Sequence, residues 1–376
     1  MKHAIKKPLR ILTLTYPLIP LRRDACGGAE QVAWNLLRSL PELDPGLELT
    51  TCAAAGSRVP GKLLLCFDER PNALMNEGNI QAALAAAWAM GDAWARGHDF
   101  DLVHIHGPLE MAGWALSWGR PVIFTLHMAR ELYPAVWDNA SLKPVHFVCV
   151  SQWQQKTWWE TMSALAWPAP DCAANGIAVD DFDWQRRKQA YWLYLGRICP
   201  EKAPHLAMDL ARSMNRRLIL AGGVYPFPSH EEYFHRQIRP RLDSERTLVP
   251  CPGWKRKRDL LSQAAAVVVT SQTAEPSSLI AMEAAASGTP VLALARGALA
   301  EIVRDGVTGI LGNDLDELRQ RSDELARINP ARCRRHAEQN FQARRMAEEY
   351  WRVYRKQAGP RETESIMRKL TRLDSA

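Results

Sequence analysis

Ala266-Val-Val-Val-Thr-Ser271, then Gln-Thr-Ala, then Glu275-Pro-Ser-Ser-Leu-Ile-Ala-Met-Glu283, is the stretch on which the fold turns. A β-branched apolar run, a short loop and an apolar segment of helical length read as strand, loop and helix. The helix begins near Ser277 or Ser278. Its first turn leaves N–H groups unpaired at a positive dipole end, which suits a phosphate. Glu275 precedes the helix and points into the crevice at the strand ends. Glu283 lies one to two turns along, so the two acids can hold different parts of one long ligand. The plainer reading is an acidic flank favoured by the dipole and a solvated residue at 283. Spacing alone favours that plainer reading.

The same alternation extends outward in both directions. Strands are expected at Arg10–Thr15, Leu49–Ala53, Leu102–His106, Val122–Leu126 and His146–Val150, with helices at Ala29–Leu40, Asn79–Arg96 and Gln152–Ala164. It restarts with strands at Tyr191–Leu195, Arg217–Ala221, Val267–Ser271 and Val291–Ala293. Helices intervene at Lys202–Met214, His230–Leu242 and Ser278–Ser287. Such alternation implies parallel sheets with helices on both faces. The polar segment Asp180 to Gln189 reads as a linker, so the expected architecture is α/β with two doubly wound domains. From Pro330 to about Gln357 the chain reads as helix, with Phe341, Met346, Tyr350, Trp351 and Tyr354 forming an apolar stripe. Past Pro360 only a short basic segment, Met367 to Arg372, stands out, and disorder is one reading of the tail.

The bulk numbers agree. At 376 residues the chain is too long for one compact core. Hydrophobic residues at 47% and charged residues at 24% describe a soluble globular protein. No apolar run reaches the roughly 18 residues of a membrane span. Lys2, Lys6, Lys7 and Arg10 before Ile11–Leu21 faintly resemble a signal peptide. Pro17, Pro20 and the lack of a small-residue cleavage site favour a buried first strand. The eight cysteines form no CxxC pair and read as thiols of a reducing compartment. A net charge of +7 suits anionic substrates, nucleic acid or an anionic membrane surface without choosing among them. The fourteen tryptophans are spread along the chain and read as packing.

Three further segments can carry chemistry. Gly196-Arg197-Ile198-Cys199-Pro200-Glu201-Lys202 follows a strand and opens a helix, with close backbone approach at the glycine and two cations for a diphosphate. An ordinary proline helix start with surface charges explains it equally. Asp24-Ala-Cys-Gly27-Gly28-Ala29-Glu30 offers paired glycines at a helix start, or merely a flexible loop. His106 and His127 end strands and can reach the crevice, whereas His104 is expected to face a helix layer. No third ligand accompanies His104-x-His106, so no metal site is expected. Lys255-Arg-Lys-Arg258 reads as a solvated helix start. Arg22, Arg23, Arg130 and Trp137 are either ligands of an anionic or sugar group or plain surface residues.

Taken together and in order, these segments resemble the retaining glycosyltransferases of family four, which have the GT-B fold of two facing Rossmann-like domains. Gly27-Gly28-Ala29-Glu30 is similar to that family's glycine loop. Asp101 to His106, Thr125-Leu-His127, Val150-Ser151 and Asn175-Gly176-Ile177 resemble its next strand ends and turn. Gly196-Arg197 with Glu201-Lys202, Glu275 to Glu283, Gly288 to Val291, Gly297 to Glu301 and Asp305 to Gly309 resemble the rest. The match covers nearly the whole chain. It implies an acceptor domain over 1–179, a donor domain over 180–340, a helix near 341–358 rejoining the first domain, and a basic tail over 359–376.

The resemblance also implies roles. Arg197 and Lys202 would bind the donor diphosphate, Glu283 the ribose hydroxyls and Glu275 the sugar hydroxyls. Backbone N–H groups of Ser278, Leu279 and Ile280 would lie nearby. His127 would sit beside the transferred sugar, and Gly27 and Gly28 against diphosphate or sugar. The base would rest near Gly222, Gly223 and Gly253. The donor would be a nucleotide-diphosphate sugar, a UDP-sugar by frequency, with no metal cofactor. The acceptor would be a sugar, glycan, lipid or small molecule. The expected place is the cytoplasm, with peripheral contact to the inner membrane face left open. The sequence departs from the pattern at Ser277-Ser278, where phenylalanine and glycine are usual, and at Ala203, where glycine is usual. The alternatives are a nucleotide-sugar epimerase of the same fold and a catalytically silent sugar-nucleotide-binding protein. A nucleic-acid-binding protein is permitted by charge but supported by no motif.

Overall fold

The computed structural model describes residues 7–25, 27–66, 77–133 and 140–359. Trp137 and the basic segment Met367 to Arg372 lie outside them. Thirteen described strands form two sheets. The first holds β1 (Arg10–Thr15), β2 (Glu48–Ala53), β3 (Lys62–Leu65), β4 (Leu102–His106), β5 (Val122–Leu126), β6 (His146–Cys149) and β7 (Asp171–Cys172). The second holds β8 (Tyr191–Leu195), β9 (Arg217–Gly222), β10 (Arg246–Pro250), β11 (Ala266–Val269), β12 (Val291–Leu294) and β13 (Gly309–Gly312).

The strand orders are β3-β2-β1-β4-β5-β6-β7 and β10-β9-β8-β11-β12-β13. Neighbouring strands are parallel throughout, with Ile11 on β1 set between Leu49 on β2 and Leu102 on β4. In each sheet the order reverses beside the first strand, between β1 and β4 and between β8 and β11. Open α/β sheets bind ligands outside the carboxyl ends of the strands at such a point.

Helices cover both faces. In the first half they are α1 (Gly28–Leu43), α2 (Glu77–Gly97), α3 (Glu110–Ala115) and α4 (Gln152–Ala164). In the second they are α5 (Pro204–Ser213), α6 (Pro228–Tyr233), α7 (Trp254–Gln263), α8 (Leu279–Ala286), α9 (Leu299–Ile302) and α10 (Leu315–Arg321). Two more, α11 (Pro330–Asn340) and α12 (Ala343–Gln357), close the described chain. Each sheet has a buried apolar cluster on either face. No helix among the described residues is long and apolar enough to cross a membrane.

Several elements differ from expectation. The helix expected from Pro330 to Gln357 is two helices, because Phe341 and Gln342 leave helical geometry to meet Ile177. The Ile177 N–H donates to the Phe341 carbonyl at 2.7 Å, and the Ala343 N–H donates to the Ile177 carbonyl at 2.8 Å. Phe341 therefore packs in the second half's core, while Met346, Tyr350 and Tyr354 pack in the first half's core beside α1. The helix expected over His230–Leu242 starts at Pro228, widens over Phe234–Ile238 and tightens over Arg239–Arg241. Pro240 lacks the N–H that a regular ladder needs there. Strands β3, β7, β10 and β13 were not expected, being short edge or glycine-bearing segments.

The linker is firmly docked. Phe182 is buried, and Lys188 donates to the Ser262 carbonyl at 2.7 Å, the Ser287 carbonyl at 3.0 Å and Thr289 Oγ1 at 2.9 Å.

Candidate active site

The turn after β8 carries the first cations. Tyr194 donates from its hydroxyl to the Arg197 carbonyl at 2.7 Å, and the Ile198 N–H donates to the Gly223 carbonyl at 3.0 Å. The turn after β9 runs against it so closely that a Cβ on Gly222 would meet the Gly196 carbonyl oxygen at 1.8 Å. The crossing therefore requires glycine. Arg197 reaches Glu201 at 3.3 Å and lies over the Tyr225 ring at 5.7 Å. Lys202 ends the turn and donates to Glu275 Oε1 at 2.8 Å. This pair joins the two strand ends at the reversal of the second sheet.

Glu275 is held from behind. The Ala298 N–H donates to its carbonyl at 2.8 Å. Gly297 has φ +62°, and a Cβ there would lie 2.3 Å from the same carbonyl oxygen. The loop then enters α8, whose start at Ser278 has no side-chain cap, so its first N–H groups are left without an intrahelical partner. Glu283, weighed above as a solvated residue, is 2% exposed. Lys257 donates to its Oε1 at 2.5 Å, while its Oε2 is buried without a hydrogen-bond partner. Burial holds this carboxyl above its ordinary range despite the lysine. Lys257 is thus a buried counterion, which corrects the reading of Lys255 to Arg258 as a solvated run.

The opposite wall comes from the first half. Gly28 starts α1, and a Cβ there would lie 3.9 Å from Leu279 Cδ1, so the starts of α1 and α8 face each other. The Glu30 carboxylate folds back beneath Gly27, where a Cβ would meet its Oε2 at 1.7 Å. Burial pushes the Glu30 carboxyl up to about 7.

His127 ends a buried chain of polar groups. Its Nε2 lies 2.8 Å from His106 Nδ1, and His106 Nε2 lies 3.2 Å from His104 Nδ1. His104 Nδ1 is 2.7 Å from the Tyr354 hydroxyl, and its Nε2 is 2.8 Å from Thr125 Oγ1, which in turn meets the Tyr350 hydroxyl at 2.8 Å. His104 therefore does face a helix, α12, while sharing a sheet face with His106. Burial holds all three imidazoles below their ordinary range, hence neutral near pH 7.

Residues 26–163 match the family model described as Glycosyltransferase Family 4, and residues 179–340 match Glycosyl transferases group 1. A D-inositol 3-phosphate glycosyltransferase of Kribbella flavida is 36% identical over 385 aligned positions, covering 86% of this chain and 88% of that protein. The chain belongs to glycosyltransferase family four. Solved structures agree on the GT-B fold. The sucrose-phosphate synthase of Thermosynechococcus elongatus superposes with a TM-score of 0.72 at 18% identity, over 92% of this chain and 98% of that one. Anabaena Alr3699/HepE, solved with UDP and glucose, gives 0.69 at 16% identity, over 92% and 99%.

Between its two walls the glycosyltransferase holds a cleft of about 160 Å³. Leu195, Arg197, Gly222, Tyr225, Trp254 and Ile280 line it on one side, with Asp24, Ala25 and Gln31 on the other. A narrower cleft, sharing Gln31 and Trp254, leads to Glu283. Gly253 starts α7 and places Trp254 in the cleft. Sequence reasoning missed Tyr225, Trp254 and Lys257. The spacing Trp254, Lys257, Leu261 marks one helical face and was the available signal. In the first half Arg22 pairs with Asp24 at 3.0 Å, Arg23 with Asp181 at 3.2 Å, and Arg130 donates to Thr161.

Proposed function

We propose that this glycosyltransferase moves a sugar from a UDP-sugar to an acceptor hydroxyl with retention at the anomeric carbon, and that it does so without a metal on the diphosphate. The observation that carries this reading is the Lys202–Glu275 pair, set in the turns just before α8, whose first residue Leu279 faces Gly28 across the cleft. The donor's diphosphate lies between Arg197, Lys202 and the first N–H groups of α8. As the glycosidic bond breaks, the leaving diphosphate gains charge that these groups already face. Binding the donor draws Lys202 onto phosphate and leaves the Glu275 carboxylate to the sugar hydroxyls. Glu283 takes the ribose hydroxyls with its unpaired Oε2. The base lies among Gly222, Tyr225 and Trp254. His127 stands beside the sugar. Transfer occurs on one face of the sugar, and the leaving phosphate accepts the acceptor's proton. The UDP and glucose bound by the Anabaena relative support the choice of base.

A thermal-shift screen of UDP-, GDP- and ADP-sugars tests this. A ligand at 100 times its Kd stabilises by about 2.7 kcal/mol, which is several degrees of melting temperature. UDP-sugars should give that shift, and Lys202→Ala should largely remove it. No shift with any donor counts against the reading. An equal shift in wild type, Lys202→Ala and Glu275→Ala places the donor elsewhere.

A further inference from the structure

Between Arg197 and Lys202 lie two side chains that the donor reading does not use. Cys199 is fully buried, and Glu201 follows two residues later. His230, in the first turn of α6, comes from another part of the fold to meet them. One donor atom from each of Cys199, Glu201 and His230 lies within 4.8 Å of the others. His230 is 8% exposed, and its Nδ1 is buried with no hydrogen-bond partner.

We propose that Cys199, Glu201 and His230 form a binding site for one zinc-class divalent cation. The donor set decides the class. One sulfur, one imidazole nitrogen and one carboxylate oxygen suit zinc or cobalt(II) and exclude magnesium and calcium, which take oxygen ligands. Tetrahedral zinc holds its ligands roughly 3.5 Å apart, so the three groups need to close by at most about 1.3 Å. Three protein ligands leave a fourth position for water.

Backbone contacts hold the segments that carry these ligands, while the Glu201 carboxylate pairs with Arg197 at 3.3 Å and the Cys199 thiol donates to the Arg197 carbonyl at 3.8 Å. The Glu201 carbonyl accepts from the Gln272 N–H at 2.9 Å and from Ser271 Oγ at 3.2 Å, which anchors the turn to the end of β11. The His230 N–H donates to the Phe227 carbonyl at 2.9 Å, and its ring stands edge-on to Phe227 at 5.2 Å. These contacts set the backbone from which the ligands project. Coordination replaces the thiol S–H bond by sulfur–metal bonding and releases one proton to water. The ion pins α6 to the turn and touches no reacting atom. The proposal stands whether or not the donor reading holds.

The test uses the purified full chain, stripped with a chelator and titrated with zinc against a chromophoric competitor. Cobalt(II) follows by absorption spectroscopy. One zinc per chain is expected, and cobalt should give a sulfur-to-metal charge-transfer band in the near ultraviolet. Cys199→Ser and His230→Gln should each weaken zinc by about tenfold or more, a scale that even outer contacts reach. Cys199→Ser should also abolish the band. Far-ultraviolet circular dichroism on the metal-free variants separates lost ligands from lost folding. Cys251→Ser, at an exposed cysteine, should bind zinc as wild type does. Absence of stoichiometric uptake overturns the proposal. So does uptake that survives Cys199→Ser and His230→Gln in folded protein, or that depends instead on Cys251 or on His106→Gln.

Discussion

Glu30 carries its proton far above the ordinary 4.5 of a glutamate, because burial beneath Gly27 penalises the charged form. Below that ordinary value folded and unfolded chains are both protonated. Between there and about pH 7 the unfolded chain releases its proton first, so stability falls as pH rises through this window. Glu30→Gln should therefore stabilise the protein increasingly from pH 5 to pH 8, reaching about 2–3 kcal/mol in denaturant melts. A difference that does not vary with pH would refute the assignment. Lys257 and Glu283 are a buried pair, with side chains 12% and 3% exposed. Removing one partner strands the other, so Lys257→Ala should cost about 3–5 kcal/mol in the same melts. The double variant Lys257→Met with Glu283→Leu should recover most of that. The turns that carry Glu275, Arg197 and Lys202 were legible because glycine and proline mark them after apolar runs. Lys257 was not, because in Lys255-Arg-Lys-Arg258 neighbouring charges mask the one that turns inward.

At the scale of elements, the loop carrying Glu275 is only as firm as the turn behind it. Gly297→Ala would push a Cβ into the Glu275 backbone at a φ that alanine tolerates poorly. We expect a loss of about 2 kcal/mol or more on unfolding, together with weaker UDP-sugar binding by titration calorimetry. Normal binding in a folded variant would show that the loop can move without consequence. Helix α12 supplies two hydroxyls to the histidine chain. Tyr350→Phe and Tyr354→Phe keep the packing and delete one buried partner each, so each should cost about 1–3 kcal/mol. Strands such as Tyr191–Leu195 were legible in full, being continuous apolar runs. Arg246–Pro250 was not, because an edge strand buries only part of each side chain and carries polar ends. The break between α11 and α12 was also hidden. One apolar stripe runs through Phe341 and Met346, and only the tertiary contact with Ile177 divides it.

Across the whole molecule, polar clasps join the two halves beside the apolar contact that Leu279 makes with the first half's core. Glu301 on α9 accepts from the N–H groups of Gln152, at 3.1 Å, and Trp153 at the start of α4. Arg23 and Arg38 share Asp181 at 3.2 and 3.1 Å. Exposed pairs of this kind contribute about 1 kcal/mol or less, so Glu301→Ala should barely change the melting temperature. It should instead enlarge the radius of gyration in small-angle scattering, as the cleft opens. An unchanged radius would mean that the clasp is not what holds the halves together. The two-domain plan was readable from the alternation of strands and helices, whereas the clasps join residues more than a hundred positions apart and leave no local pattern. The final helix adds a consequence for the order of synthesis. Met346, Tyr350, Val353 and Tyr354 complete the apolar core beside β1 and α1, yet they follow the entire second half in the chain. A ribosome making this protein at about 5–20 residues per second releases the first half with that core uncovered. It stays uncovered until the second half has been made, so the nascent chain is open to chaperones and to aggregation for the time needed to translate residues 180–357.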